Sequence, residues 1–142
     1  YKQVDIEKDL PYPNNSFDFI FSLMVLHYVE NMDHVATEFY RLLKSNGNLL
    51  FSLTHPLYEL KRAAHLHTAE KRTRYSVVAL NQTTKIEVYY EPYHAFIKHF
   101  LQAGFTLLTE KEIIVNEDFA IKYPRYKQFI GSPRAYIFKF SK

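Results

Sequence analysis

Apolar positions along this chain gather into runs and stripes, separated by polar stretches that carry prolines and asparagines. From Phe17 to Leu26 the run FDFIFSLMVL is almost continuously apolar and bounded by turn residues. That pattern predicts a strand buried on both faces, as in a parallel sheet under helices. Met32, Val35, Ala36, Phe39, Tyr40, Leu42 and Leu43 then recur at helical spacing. Asn31 or Asp33 suits the cap of that helix, Arg41 and Lys44 its last turn, and Gly47 its left-handed stop. NLLFSLT, from Asn48 to Thr54, predicts a further buried strand, so strand, helix and strand make a βαβ crossover.

The flanking segments are less regular. The opening YKQVDI predicts the tail of a strand that stops at an acidic residue. RYSVVAL and KIEVYY, joined by NQTT, fit a small hairpin, although the turn lacks an Asn-Gly pair. Before it, YELKRAAHLHTAEKR fits either a helix or a loop. Tyr93, Phe96, Ile97, Phe100 and Leu101 follow the helical period, with Pro92 suited to the first position and Gly104 to the end. FTLLTEKEIIV and AYIFKF predict two last strands, with a polar link from Asn116 to Arg134 between them.

The 142 residues fit one domain with a real core. There is no cysteine, which excludes disulfides, thiolate metal sites and a cysteine nucleophile. No run is long and apolar enough to span a membrane, and no secretory signal pattern appears, so a cytoplasmic protein is expected. The net charge of +3 is weak for a nucleic-acid binder. The basic cluster KRAAHLHTAEKRTR reads first as a solvated face and only second as a phosphate track. Three glycines, Gly47, Gly104 and Gly131, stand singly, so no glycine-rich phosphate loop is present. Twelve tyrosines and twelve phenylalanines suggest a thick aromatic interior or an aromatic-lined pocket.

An ordered series of short motifs runs through these elements. Asp5 and Glu7 precede DLPYP at Asp9–Pro13, then SFD at Ser16–Asp18 and LHY at Leu26–Tyr28. LLKSNGNLLFS follows at Leu42–Ser52, HAFIKHFLQAGF later, and SPRAYIFKF near the end. In this order the chain resembles the carboxy-terminal part of a class I S-adenosylmethionine-dependent methyltransferase, of the group labelled methyltransferase type 11. The resemblance implies a Rossmann-like α/β sheet represented by its strands 3, 4, 5, 6 and 7, the last two antiparallel. It implies S-adenosyl-L-methionine as cofactor, a small-molecule acceptor, and residues 57–91 as a substrate-side lid within one domain, 1–142. Three departures stand out: an extra residue in DIEKDLP, Ser45-Asn46 in place of Pro-Gly, and Tyr90-Glu91-Pro92 where the family often has His-Arg-Pro.

The same resemblance assigns roles. Asp5 would accept a hydrogen bond from the adenine amino group, the backbone N–H of Ile6 would meet an adenine ring nitrogen, and Ser22 and Leu23 would face the methionine end. His27 or His55 would be a base, and Tyr28, Tyr58, Tyr90 and Tyr93 would line the acceptor pocket. Each also has a plainer reading: Asp5 as a turn cap, the histidines as structural, the tyrosines as packing. Glu7, Lys8 and Asp9 read as solvated. His65 and His67 form an i, i+2 pair too poor in carboxylates for a metal, so no metal is expected. The family's glycine-rich loop would lie upstream of Tyr1, and the expectation is that residues 1–142 alone are inactive, with strand 4 an open edge suited to self-association. A non-catalytic binding or regulatory module and an RNA methyltransferase are the alternative functions.

Overall fold

The computed structural model describes residues 1–62, 70, 72–78 and 84–142. His65 and His67, with most of the basic cluster before Glu70, lie outside the described residues. The elements are β1 (Phe17–Leu23), a 3-10 turn (Leu26–Tyr28), α1 (Met32–Leu42), β2 (Leu43–Thr54), α2 (Pro56–Arg62), β3 (Thr73–Val78), β4 (Lys85–Tyr90), α3 (Tyr93–Gln102), β5 (Thr106–Ile114), α4 (Glu117–Lys122), a second 3-10 segment (Pro124–Phe129) and β6 (Pro133–Ser141).

Four strands form one sheet in the order β1-β2-β6-β5. β1 and β2 are parallel, with Ile20 opposite Leu49 and Ser22 opposite Phe51, and α1 makes the crossover between them. β6 enters antiparallel to both β2 and β5. The predicted βαβ unit and the closing antiparallel pair are therefore present. β3 and β4 form a separate hairpin, Tyr75 opposite Val88, within the segments RYSVVAL and KIEVYY expected to pair.

One face of the sheet carries the core. α1 buries Met32, Val35, Ala36, Phe39 and Leu42, while α3 buries Phe96, Ile97 and Phe100. Phe51 stands at the centre, its ring 4.8 Å from Phe100, 5.3 Å from Phe138 and 5.7 Å from Phe140. All four phenylalanines are fully buried. Burying each stabilises the fold by roughly 1.5–3 kcal/mol before entropy is counted. The aromatic richness of the sequence is thus used here in packing.

Several expectations change. Tyr1–Ile6 is not a strand: it has no ladder partner among the described residues and folds into a turn after Asp5. β1 is not buried on both faces, because helices cover one side only. Ile20 and Ser22 turn inward, whereas Phe19, Phe21 and Leu23 are about half exposed. Gly47 is not the left-handed stop of α1; Asn46 takes the positive φ of 65°. Gly47 is instead a point of close approach, where an added Cβ would stand 2.8 Å from the Lys44 carbonyl and 3.2 Å from that of Asp18. Gly104 does end α3 with a positive φ of 108°. The link from Asn116 to Arg134 holds α4, capped by Asn116, and the second 3-10 segment.

The two sheet edges differ in chemistry. β5 presents Glu110, Lys111 and Glu112, all exposed, which discourages pairing with another strand. β1 presents the stacked and exposed rings of Phe19 and Phe21. Among the described residues no helix is long and apolar enough to cross a membrane.

Candidate functional site

β1 and β2 end side by side at Leu23 and Thr54, and in open α/β sheets ligands bind beyond such carboxyl ends. Beyond β1 the chain turns sharply at Met24, a non-glycine residue with a φ of 54°. The N–H of Met24 donates to the Ser52 carbonyl at 3.1 Å, which pins the turn to β2. The 3-10 turn that follows places His27 and Tyr28 over the strand ends, their rings 4.1 Å apart.

Two adjoining cavities lie here and share His27, Thr54, Glu59 and Tyr75. The inner one is also walled by Tyr89, Tyr90, Glu91 and Tyr93, with Phe96, Tyr136 and Phe138 beneath. The outer one, about 390 Å³, adds Met24, Tyr28, Tyr58, Tyr126 and Arg134. α2 and the β3–β4 hairpin form the roof. The structure therefore brings together His27, Tyr28, Tyr58, Tyr90 and Tyr93 in one cleft. It does not bring Asp5, Ile6, Ser22, Leu23 or His55 to that lining.

His27 is held neutral. Burial of the ring, and then the positive charge of Arg72, lower its pKa from the ordinary 6.5 to about 4. Its Nδ1 is shut from solvent and has no hydrogen-bond partner among the described residues. An imidazolium there would leave an N–H unsatisfied.

His55 is engaged on both ring nitrogens. Its Nδ1 accepts the N–H of Leu57 at 3.1 Å, fixing the start of α2. Its Nε2 lies 2.8 Å from Glu112 Oε1, without the alignment of a full hydrogen bond. The ring stacks on Tyr136 and is almost entirely buried. Asp5 is exposed, and its Oδ1 accepts the N–H of Glu7 at 3.0 Å, the turn-capping geometry. Ile6 packs against the main core, Ser22 is buried in β1, and Leu23 is half exposed.

Several important groups escaped the sequence. Arg72, in the basic cluster whose sequence fits a solvated face, is drawn inside. It binds Glu91 and donates to the carbonyls of Val29 and Leu26, the latter at 3.0 Å, so it grips the turn bearing His27. Glu91, the odd residue in Tyr-Glu-Pro, is buried and reaches His99 Nε2 at 3.0 Å with its other oxygen. Glu59 accepts the Tyr75 hydroxyl inside the cleft. Glu7 is not merely solvated either: its Oε1 accepts the N–H groups of Glu30 and Asn31 at 2.7 and 2.8 Å. The only advance signal was the departure from the family pattern at Tyr90–Pro92. Among the described residues no group of three or more His, Asp or Glu is placed to hold a metal ion.

The loop DLPYPN is fixed by a second ion pair, of buried Glu38 with partly exposed Arg41. Glu38 accepts the Leu10 N–H at 2.9 Å and binds Arg41, whose guanidinium donates to the carbonyls of Leu10 and Tyr12 and to Asn14. Glu38 is thereby held well below the usual carboxylate range, at about 2.

Comparisons with known proteins bear on the fold. Residues 1–51 match the family model described as a methyltransferase domain. An uncharacterised protein of Haemophilus influenzae is 40% identical over 52 residues, which is 37% of this chain and 20% of that protein's length. The whole chain superimposes on a putative S-adenosylmethionine-dependent methyltransferase of Listeria monocytogenes, with a TM-score of 0.79, 20% identity and 68% of that chain covered. It also superimposes on an S-adenosylmethionine-dependent methyltransferase of Mesorhizobium loti, with a TM-score of 0.74, 17% identity and 69% covered. This chain thus has the Rossmann-like fold of the S-adenosylmethionine-dependent methyltransferases, and its first 51 residues carry the sequence pattern of the methyltransferase domain.

Proposed function

We propose that the chain forms the acceptor side of an S-adenosylmethionine-dependent methyltransferase that acts on a small molecule, with residues 57–91 as the lid. The observation that carries this reading is the meeting of His27 with Tyr28, Tyr58, Tyr90 and Tyr93 in one cleft beyond the carboxyl ends of β1 and β2. A cleft of aromatic walls with a few polar groups suits a small organic ligand.

S-adenosylmethionine, when bound, supplies an electrophilic methyl group on a positively charged sulfur. Asp5 suits the adenine end, since its carboxylate is exposed beyond its one bond to Glu7. Ile6 beside it, and Ser22 and Leu23 at the end of β1, complete the proposed cofactor contacts. The chain's own residues then do the rest. The tyrosines hold the acceptor flat and exclude water, which turns alignment of the two reactants into rate. His27, neutral at working pH, takes a proton from an acceptor that must lose one. His55 holds α2, and through it the lid.

The open β1 edge, with Phe19 and Phe21, is the surface through which the protein would self-associate. Calorimetric titration of the full-length protein with S-adenosylhomocysteine tests the main reading. Micromolar binding that fails in Asp5→Ala supports it, and absence of any binding to the folded protein overturns it. Sedimentation of wild type and Phe21→Lys decides the self-association.

A further inference from the structure

We infer that Arg134 is an anion clamp, so that the molecule taken into the outer cleft carries a carboxylate or a phosphate group. This deepens the methyl-transfer reading above and rests on it for taking that molecule as the methyl acceptor.

Arg134 lies at the start of β6, where its carbonyl accepts the N–H of His55 at 3.0 Å. Its guanidinium carbon stands 3.6 Å from the centre of the Tyr58 ring and 4.1 Å from that of Phe129. Two aromatic faces thus fix the guanidinium and strip part of its water, while its N–H groups make no hydrogen bond among the described residues. Every one of the 15 carboxylate side chains lies among the described residues, and none forms an ion pair with Arg134.

The contrast with the other built-in arginines is sharp. Arg72 spends its donors on Glu91, Leu26 and Val29. Arg41 spends its own on Glu38, Leu10, Tyr12 and Asn14. A half-buried arginine that is held in place but lacks a counter-charge is prepared for an oxyanion, which its planar fork binds through two parallel hydrogen bonds. Glu59 sits where the two cavities meet and carries the opposite sign. It disfavours an anionic group in the inner cavity, so the anionic end stays at Arg134 and the remainder points toward His27.

The test uses the full-length protein and three probes of one shape: benzoate, phenyl phosphate and neutral benzamide. Binding is followed by calorimetry for wild type, Arg134→Lys and Arg134→Met, with S-adenosylhomocysteine titrated in parallel. One anion should bind about tenfold or more tighter than benzamide. Arg134→Met should erase that preference, and Arg134→Lys should keep part of it. Which anion binds more tightly identifies the group. Equal binding of benzamide and both anions to wild type overturns the inference. So does unchanged anion affinity in Arg134→Met with circular dichroism intact. Loss of S-adenosylhomocysteine binding in wild type counts against the methyl-transfer reading instead, because the anion preference is read without it.

Discussion

Glu91 joins two parts of the fold through one carboxylate: one oxygen binds Arg72 beside the β3–β4 hairpin, and the other lies 3.0 Å from His99 on α3. His99 continues to Asp33 on α1, 2.5 Å from Nδ1. Since Arg72 also grips the Leu26 and Val29 carbonyls, α1, α3, the hairpin and the His27 turn are tied through a single charged chain.

Removing the charge at its centre should therefore act on both stability and the site. Glu91→Gln leaves Arg72 buried without its counter-charge, and the expected loss is about 3 kcal/mol in urea unfolding. Glu87→Gln, on the exposed face of the same hairpin, should cost less than about 0.5 kcal/mol. Equal effects of the two would show that the Glu91 chain does not hold the hairpin.

The pH dependence of that chain follows from His99. Hydrogen bonding to Glu91, and then to Asp33, raises its pKa above the ordinary 6.5, against the opposing effect of burial. A raised folded value means the stabilisation is full below the unfolded pKa and is lost as pH rises through the folded one. Stability should accordingly fall above pH 6.5 in the wild type, and this fall should be absent in His99→Gln.

Glu38 predicts the opposite limb. Its pKa is lowered from 4.5 to about 2, chiefly by the Arg41 hydrogen bond, so its contribution is present above 4.5 and lost as pH falls toward 2. Glu38→Gln should cost about 2 kcal/mol at neutral pH, the value of a charged hydrogen bond, and should weaken acid sensitivity. Increased proteolysis within Leu10–Asn14 would report the freed loop.

Gly47→Ala tests the close approach at the start of β2. The new methyl would press on the Lys44 carbonyl and on Leu43, and the expected cost is about 1–3 kcal/mol by thermal denaturation. At Gly131, where an added Cβ meets nothing within 4 Å but φ is 76°, alanine should cost only about 1 kcal/mol. A larger loss at Gly131 would reverse this ordering.

His27, with its pKa lowered to about 4, should give a methyl-transfer rate that is flat from pH 5 to 8 and falls only near 4. A limb near 6.5 would exclude it as the base. His27→Asn should lower kcat about 10²-fold or more with little change in KM, the usual size of general-base loss.

The order of motifs and the hydrophobic periods determined the architecture by themselves. Strand, helix and strand from Phe17 to Thr54, the α3 stripe and the closing pair were legible because each rests on local spacing and on local end signals such as the Asn31 cap and the Gly104 stop. His27, Tyr28, Tyr58, Tyr90 and Tyr93 were candidates through the family resemblance, and the structure places them along adjoining cavities. What only the tertiary structure decided was burial and partnership. Arg72 and Glu91 look like surface charges in the sequence, and become an interior pair because distant segments meet there and compensate each other's desolvation. The three phenylalanines of β1 read as core, yet two of them, Phe19 and Phe21, are about half exposed because helices cover one side of the sheet only. Periodicity records which residues share a face. Whether that face is covered, and which charges cancel across it, depends on contacts far apart in the chain.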